Sequence, residues 1–303
     1  MTIFNNRLSR FIGLNTVDDP TRVATVQVET DEGTKTAYPL VQASNVSIDN
    51  SFSVSSRGGY TSKVTGTDIH SLWSNGSACL FVDGTTLYRL GFDYSKVAIC
   101  SGLMESARMS YASWNDKVYH TNGHQISYFQ ADADHDLVDP GLQFKLPLPP
   151  GQLIEYFMGR LYVAANDVLY ISDPLCDYFD IRHGYKLFPS RISMLRAVDK
   201  GIYASDNQVC FLAGDSPEDF LRRVVHDARP IPFTDMQILG SKIKDNVPGN
   251  VAIWTSEEGI CVGDNSGNVV NLTHDRYLMT PSGDGSCLLR EAGQITHYIN
   301  TLF

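Results

Sequence analysis

The densest set of potential ligands in the chain is "DADHDLVD", which places Asp132, Asp134, Asp136 and Asp139 around His135. Carboxylates at alternate positions of a loop can converge on a hard cation, but a helix-loop-helix calcium loop also needs Gly at the sixth position and a bidentate Glu at the twelfth. Leu137 and Gln143 stand there, so the segment reads as a solvated loop between strands, with a weak calcium site as the alternative. "EEGICVGDNSGNVVNLT" (Glu257 to Thr273) raises the same question, and counting from Asp264 puts Val269 sixth and Asp275 twelfth. Its Gly/Asn/Asp/Ser cluster between two β-prone runs is what a reversing chain requires, and we read it as a turn. Glu155, Asp173, Asp177 and Asp180 fall near expected strand ends. A glycosidase pair would need two of them at a defined separation across a sugar, which position along the chain does not supply.

The remaining reactive residues are scattered. The histidines form no HxH or HExxH group, and His70, His120, His124, His226, His274 and His297 lie in or beside expected strands, where they read as structural. Six cysteines (Cys79, Cys100, Cys176, Cys210, Cys261, Cys287) show no CxxC and no paired spacing, so they read as free thiols on strands of a protein folded in a reducing cytoplasm. Cys261, between Ile260 and Val262, reads as buried. No GxSxG elbow, P-loop or post-strand GxGxxG is present. The expectation is a protein with no catalytic residue, no cofactor and no metal.

Composition says which elements must carry these residues. Charged residues are 19% of the 303 positions, below the usual quarter, while 15 Tyr and 14 Phe favour a pleated, half-buried surface. The formal charge of -10 argues against a sequence-independent grip on nucleic acid, which needs Lys and Arg facing phosphates. "MTIFNNRLSRFIGLN" lacks the apolar core of a secretory signal, and no run approaches the roughly 18 residues of a membrane span, so a soluble protein is expected.

A strand, a polar turn and a second strand recur six times: Ser77 to Leu90, Asp116 to Phe129, Gly159 to Ser172, Lys200 to Ala213, Glu258 to Leu272 and Ser286 to Ile299. Their turns stand about 40 residues apart over the first three intervals, the period of a four-stranded propeller blade. Tryptophan-aspartate, kelch and Asp-box signatures are absent, so this rests on period and pattern. The sequence therefore predicts an all-β propeller of about five to seven blades, with six favoured from the repeat count. Strands from both termini are expected to close the ring and remove its edges. "SPEDFLRRVV" (Ser216 to Val225) has the start of a helix, with Pro and acids in the first turn. Residues 1–22 read as an extended arm and 23–303 as a single propeller domain.

Three blocks carry a resemblance: "GLNTVDDPTR" (Gly13 to Arg22), "LVQASNVSIDNSFSVSSRGGY" (Leu40 to Tyr60) and the run from Gly259 to Leu302. Together they resemble a family of tailed-bacteriophage virion structural proteins encoded among head-tail and tail genes. Where members of that family tend to have an acidic residue and an Arg-Pro-Gly turn in the middle block, this chain has Ser47 and Gly58, and Gly also suits a tight reversal. The resemblance implies a non-enzymatic virion component of the tail or neck, similar in architecture to the nozzle of short-tailed phages. It implies a symmetric ring of copies around the DNA passage, contacts with other tail or portal-adaptor proteins, DNA passing without specific binding, and assembly in the bacterial cytoplasm. In that reading the arm locks neighbours through Phe4, Arg7, Arg10, Phe11, Asp18, Asp19 and Arg22. A receptor-binding propeller and a polysaccharide-degrading propeller enzyme are the alternatives.

Overall fold

The computed structural model describes residues 10–19, 23–30, 33–44, 46–48, 51–214, 216–244, 246–274, 276, 283–292 and 295–302. Five four-stranded antiparallel sheets follow one another along the chain, four of them built from consecutive strands and the third interrupted by Tyr178–Asp180, which pairs with Lys145–Pro147. The first blade is Ile69–Ser74, Cys79–Asp83, Thr86–Leu90 and Lys96–Ser101. Ser110–Trp114, Lys117–Thr121, Ile126–Gln130 and Ala133–Asp136 make the second. The third is Leu153–Phe157, Arg160–Ala165, Val168–Ile171 and Tyr185–Leu187, and the fourth is Met194–Val198, Gly201–Ser205, Val209–Ala213 and Leu221–His226. Met236–Leu239, Asn250–Ser256, Gly259–Gly263 and Val269–Asn271 complete the fifth.

Why these sheets stack is visible in their second strands, which are apolar at nearly every position rather than at alternate ones. Successive strand residues point to opposite faces, and each face here belongs to a different core. Val118 joins the core between blades one and two while Tyr119 joins that between two and three. Leu161 and Val163 face back to blade two, and Tyr162 faces forward to blade four. The same division sends Ile202 and Ala204 backward and Tyr203 forward, to Trp254 of blade five. The recurrent tyrosine of the repeats is thus the residue that reaches the next blade. Gly263 serves this packing, since a Cβ there would collide with the Tyr203 ring.

The sixth repeat departs from the pattern. Gly285–Ala292 and Ile295–Leu302 pair only with each other among the described residues, with Gly285 opposite Leu302 and Leu289 opposite Tyr298. Leu289 and Tyr298 pack on Ile238, Val251 and Ile253, so the hairpin lies face to face with blade five in the sixth position. Five complete blades plus this hairpin fall within the expected range of five to seven. No ladder among the described residues joins strands from the two termini; Thr16 N donates to Arg276 O at 3.0 Å.

Two local expectations are corrected. The fifth repeat is shifted by one strand: Gly259–Gly263 and Val269–Asn271 are the third and fourth strands of their blade, whereas the first four repeats supply second and third strands. The true second strand is Asn250–Ser256, whose Val251, Ala252 and Trp254 are fully buried, and its turn at Glu257-Glu258 carries less obvious turn chemistry than Asp264 to Asn268. Ser216 to Val225 is not a helix but a single 3-10 turn, Pro217–Asp219, followed by the edge strand Leu221–His226. Ser216 makes no side-chain cap to the turn's backbone, and β-branched Val224 sits opposite Cys210 of the neighbouring strand, which ladder pairing favours over a helix.

Before the first blade, Phe11–Leu14, Gly33–Leu40 and Val26–Thr30 form a three-stranded sheet in that spatial order, with the first pair parallel. Val46–Ile48 and Val54–Ser56 form a hairpin. The pairing of Phe11–Leu14 with Gly33–Leu40 ties part of the expected arm to residues beyond position 22.

Candidate functional site

In a propeller the first strands of the blades surround the axis, and here those strands of blades two, three, four and five pack against one another in succession. Ala112, Glu155 and Arg196 hold equivalent places on them, each opposite the recurrent tyrosine of its blade (Tyr119, Tyr162, Tyr203). Arg196 Nη1 lies 2.9 Å from Glu155 Oε2, its Nε donates to Asp235 Oδ2 at 3.0 Å, and its Nη2 is 2.9 Å from the same oxygen. One guanidinium therefore joins blades three, four and five through two carboxylates. Burial pushes the Glu155 carboxyl above its ordinary value, Arg196 pulls it down, and Asp235 adds repulsion. The direction fits a site with two anions to one cation. Cys287 of the terminal hairpin lies beside them, its thiol pushed up to about 12 by burial and by Asp235.

Arg108, which precedes the first strand of blade two, adds a second tie. Its Nη2 donates to Ser286 Oγ at 3.0 Å, and its guanidinium carbon is 4.9 Å from the centre of the Phe233 ring. Blade two, the entry to blade five and the terminal hairpin meet at this residue. Arg196 and Arg108 were not singled out by sequence reasoning. The available signal was register: "LIEYF" and "MLRAV" place Glu and Arg at one strand position in neighbouring blades.

The acidic cluster does not form a loop site. Ala133–Asp136 is the outer strand of blade two, and its carboxylates separate. Asp132 forms an ion pair with Arg89 of blade one. Asp134 accepts from His120 Nε2 at 2.8 Å and from Ser127 Oγ at 3.2 Å, while Asp139 Oδ1 accepts Gly141 N at 2.9 Å. Ser127, His120 and Asp134 are the residue types of a hydrolase triad but not its geometry. Serine and carboxylate both meet Nε2, and Nδ1 has no partner, whereas a relay needs them on opposite nitrogens. His120 is fully buried, so the group binds three strands of one blade together.

The other carboxylates are held by cations. Asp173 and Asp180 share Lys145, Asp180 also takes two bonds from Arg182 at 2.9 and 2.7 Å, and Asp177 lies 3.9 Å from Lys117. The Arg182 bonds hold the Asp180 carboxyl well below the usual range. Glu155 lies apart from these three, on the axial strand. Cys261 is fully buried, and burial raises its thiol above the ordinary value.

Asp264 to Asn268 is a turn, and a clamp between blades. Asp264 Oδ1 accepts Ser266 N at 2.7 Å and Asn268 N at 2.9 Å, and Gly267 takes a positive φ of 77°. Burial works against the Asp264 charge, but these bonds and that from the Asn268 amide outweigh it and hold the carboxyl below its ordinary value. Asn265 Oδ1 accepts Asp199 N at 2.8 Å, and Tyr203 Oη donates to Asp264 O at 2.7 Å. The turn is stitched to blade four.

Of the expected assembly residues, Phe4, Arg7 and Arg22 lie outside the described residues. Arg10 O accepts Tyr38 N at 2.9 Å and Phe11 N donates to Phe52 O at 2.7 Å, so both backbones belong to the amino-terminal sheet region. Asp18 and Asp19 are exposed, and Asp18 Oδ2 accepts Asn15 Nδ2 at 2.9 Å.

No protein-family model and no curated protein sequence matches the chain. Among solved structures it is similar to the extracellular domain of a hybrid two-component system from B. thetaiotaomicron, at 11% identity and a TM-score of 0.51, over 92% of this chain and 37% of that one. It is similar to a gluconolactonase of Xanthomonas campestris at 14% identity and a TM-score of 0.45, over 78% of this chain and 86% of that one. For virginiamycin B lyase of Staphylococcus aureus the identity is 12% and the TM-score 0.46, over 96% and 98%. WD40 domains are among the similar structures as well as enzymes. At such identities the likeness concerns the fold alone, and the five successive four-stranded sheets make that fold a β-propeller.

Proposed function

We propose that this protein is a non-enzymatic structural component of a bacteriophage virion, in the tail or neck, nozzle-like, whose copies form a symmetric ring around the DNA passage. The virion assignment rests on the three sequence blocks that resemble phage structural proteins. The observation in the fold that supports a structural role is the axial cluster: Glu155, Arg196 and Asp235 engage one another and tie three blades. A guanidinium that holds two carboxylates braces the disc, and neither carboxylate is free to act as a paired acid and base.

A rigid disc suits ring assembly, in which the same two surfaces meet around a closed cycle. The DNA passage belongs to the ring of copies, not to the axis of each propeller, where Arg108 and Arg196 are engaged with neighbouring blades. With a formal charge of -10, subunits lining that passage repel phosphates and let DNA slide. The partners in this reading are further copies and adjoining tail or portal-adaptor proteins. Mass spectrometry of purified particles tests it: the chain is expected at a fixed multiple of the portal copy number, and its absence from washed particles overturns the reading.

A further inference from the structure

Two outer blade edges carry opposite charge. Ala133–Asp136, last in the sheet of blade two, lies in the run Asp132 to Asp139, which holds four carboxylates and no Lys or Arg. Tyr185–Leu187, last in the sheet of blade three, lies in the run Ile181 to Arg191, which holds Arg182, Lys186 and Arg191 and no Asp or Glu. In a chain of charge -10 the second run is a local reversal of sign. Val138 is 75% exposed and Leu187 69%, so each edge offers apolar contact beside its charge.

Part of this charge is neutralised inside the molecule and part is not. Asp132 pairs with Arg89, Asp134 with His120 and Arg182 with Asp180. Asp136 and Asp139 are exposed and pair with no cation among the described residues. On the other edge Lys186 Nζ bonds the Phe220 carbonyl at 3.4 Å, and Glu218 lines the cleft beside it without forming an ion pair. Asp173 and Asp180 are already taken by Lys145. Charge along an edge ordinarily guards it against strand addition, and on that reading these residues only keep each edge solvated. Such a guard works against a like edge, however, and not against an unlike one. Blade two on blade two sets carboxylates face to face, and blade three on blade three does the same with cations. Only blade two on blade three joins opposite signs.

We propose that the outer strand of blade three in one copy pairs with the outer strand of blade two in the next, with Lys186 opposite Asp136. Run antiparallel, that register places Leu187 across from His135 and keeps the lysine and the carboxylate on one face of the joined sheet. The two surfaces differ, so the contact is heterologous and repeats head to tail. Both strands are short, so the opposite charges supply orientation and partner choice while backbone pairing adds affinity. This rests on the ring-assembly reading and names the seam between its copies.

The test exchanges the two charges in full-length protein at low salt, with oligomer mass read by native mass spectrometry. Lys186→Asp sets carboxylate against carboxylate and Asp136→Lys sets lysine against lysine, so each alone is expected to weaken association about tenfold or more. Mixed in equal amounts, the two variants are expected to assemble again in alternation, because the altered edge of each fits the altered edge of the other. A chain carrying both changes is expected to assemble by itself. Recovery on mixing also shows that each variant is folded. An oligomer that survives either change unaltered, or that neither mixing nor the double change restores, overturns the seam and leaves the virion reading standing. A parent that stays monomeric overturns the seam together with ring assembly, whereas absence of the chain from particles overturns the virion reading and not the seam found in purified protein.

Discussion

Replacing Arg196 with Met keeps an apolar stem and removes the charge that joins blades three, four and five. Glu155 and Asp235, whose side chains are 13% and 4% exposed, then lose their shared counter-ion. Breaking a buried pair from one side costs about 3–5 kcal/mol. At roughly 2–3 °C per kcal/mol for a chain of this size, the melting temperature falls by about 6–15 °C near neutral pH. The loss must depend on pH. Glu155 already has its carboxyl raised by burial, so its contribution is full below its ordinary value of 4.5 and is lost as pH rises through the raised one. With Arg196 gone the Glu155 carboxyl rises further, and lowering the pH to about 5 favours its neutral form and narrows the gap to the parent. Glu155→Gln removes the surplus anion and leaves Arg196 with Asp235, so it shifts the melting temperature by less than about 3 °C. Differential scanning calorimetry of the three proteins at both pH values decides. A drop under about 2 °C for Arg196→Met, or a drop that ignores pH, refutes the view that this cluster braces the disc.

Other consequences are open to direct measurement. Asp83, held down to about 2 by its bond from Lys96, and Asp134, Asp206 and Asp264, also held below their ordinary value, contribute stability that is present above about pH 4 and lost as pH falls through the depressed values; urea midpoints should fall on acidification below pH 4, and less steeply in Asp83→Asn. Burial raises the thiols of Cys100 and Cys210 to about 11 and that of Cys287 to about 12, so native protein at neutral pH should take up iodoacetamide at these positions only after denaturation, as read by peptide mass spectrometry. Asn265→Ala removes the acceptor for Asp199 N and should cost about 1 kcal/mol, with faster hydrogen exchange at Asp199 than at strand amides of blade two.

The blades were legible because two forces act on the same residues. Second strands such as Leu161 to Ala164 must feed two cores, so they are apolar throughout, and the turns beside them must reverse within a few residues, so they are rich in Gly, Asn and Asp. That logic failed where turn chemistry was stronger in the wrong place. Asp264 to Asn268 outshone the Glu257-Glu258 turn, and the fifth repeat was read one strand late. Leu221–His226 was missed because Pro217 and two acids start a helix as readily as a 3-10 turn, and only pairing with Val209–Ala213 selects the strand. The axial cluster was hidden for a different reason. Glu155, Arg196 and Asp235 are 39 to 80 residues apart, and their meeting depends on equal register in neighbouring blades rather than on local spacing.

The virion account is tested most directly by cryo-electron microscopy of purified phage particles. It predicts a cyclic ring of propeller discs in the tail or neck around the DNA path, each disc fitting five four-stranded blades and a terminal hairpin. Particles whose tail and neck are fully accounted for by other chains would contradict it.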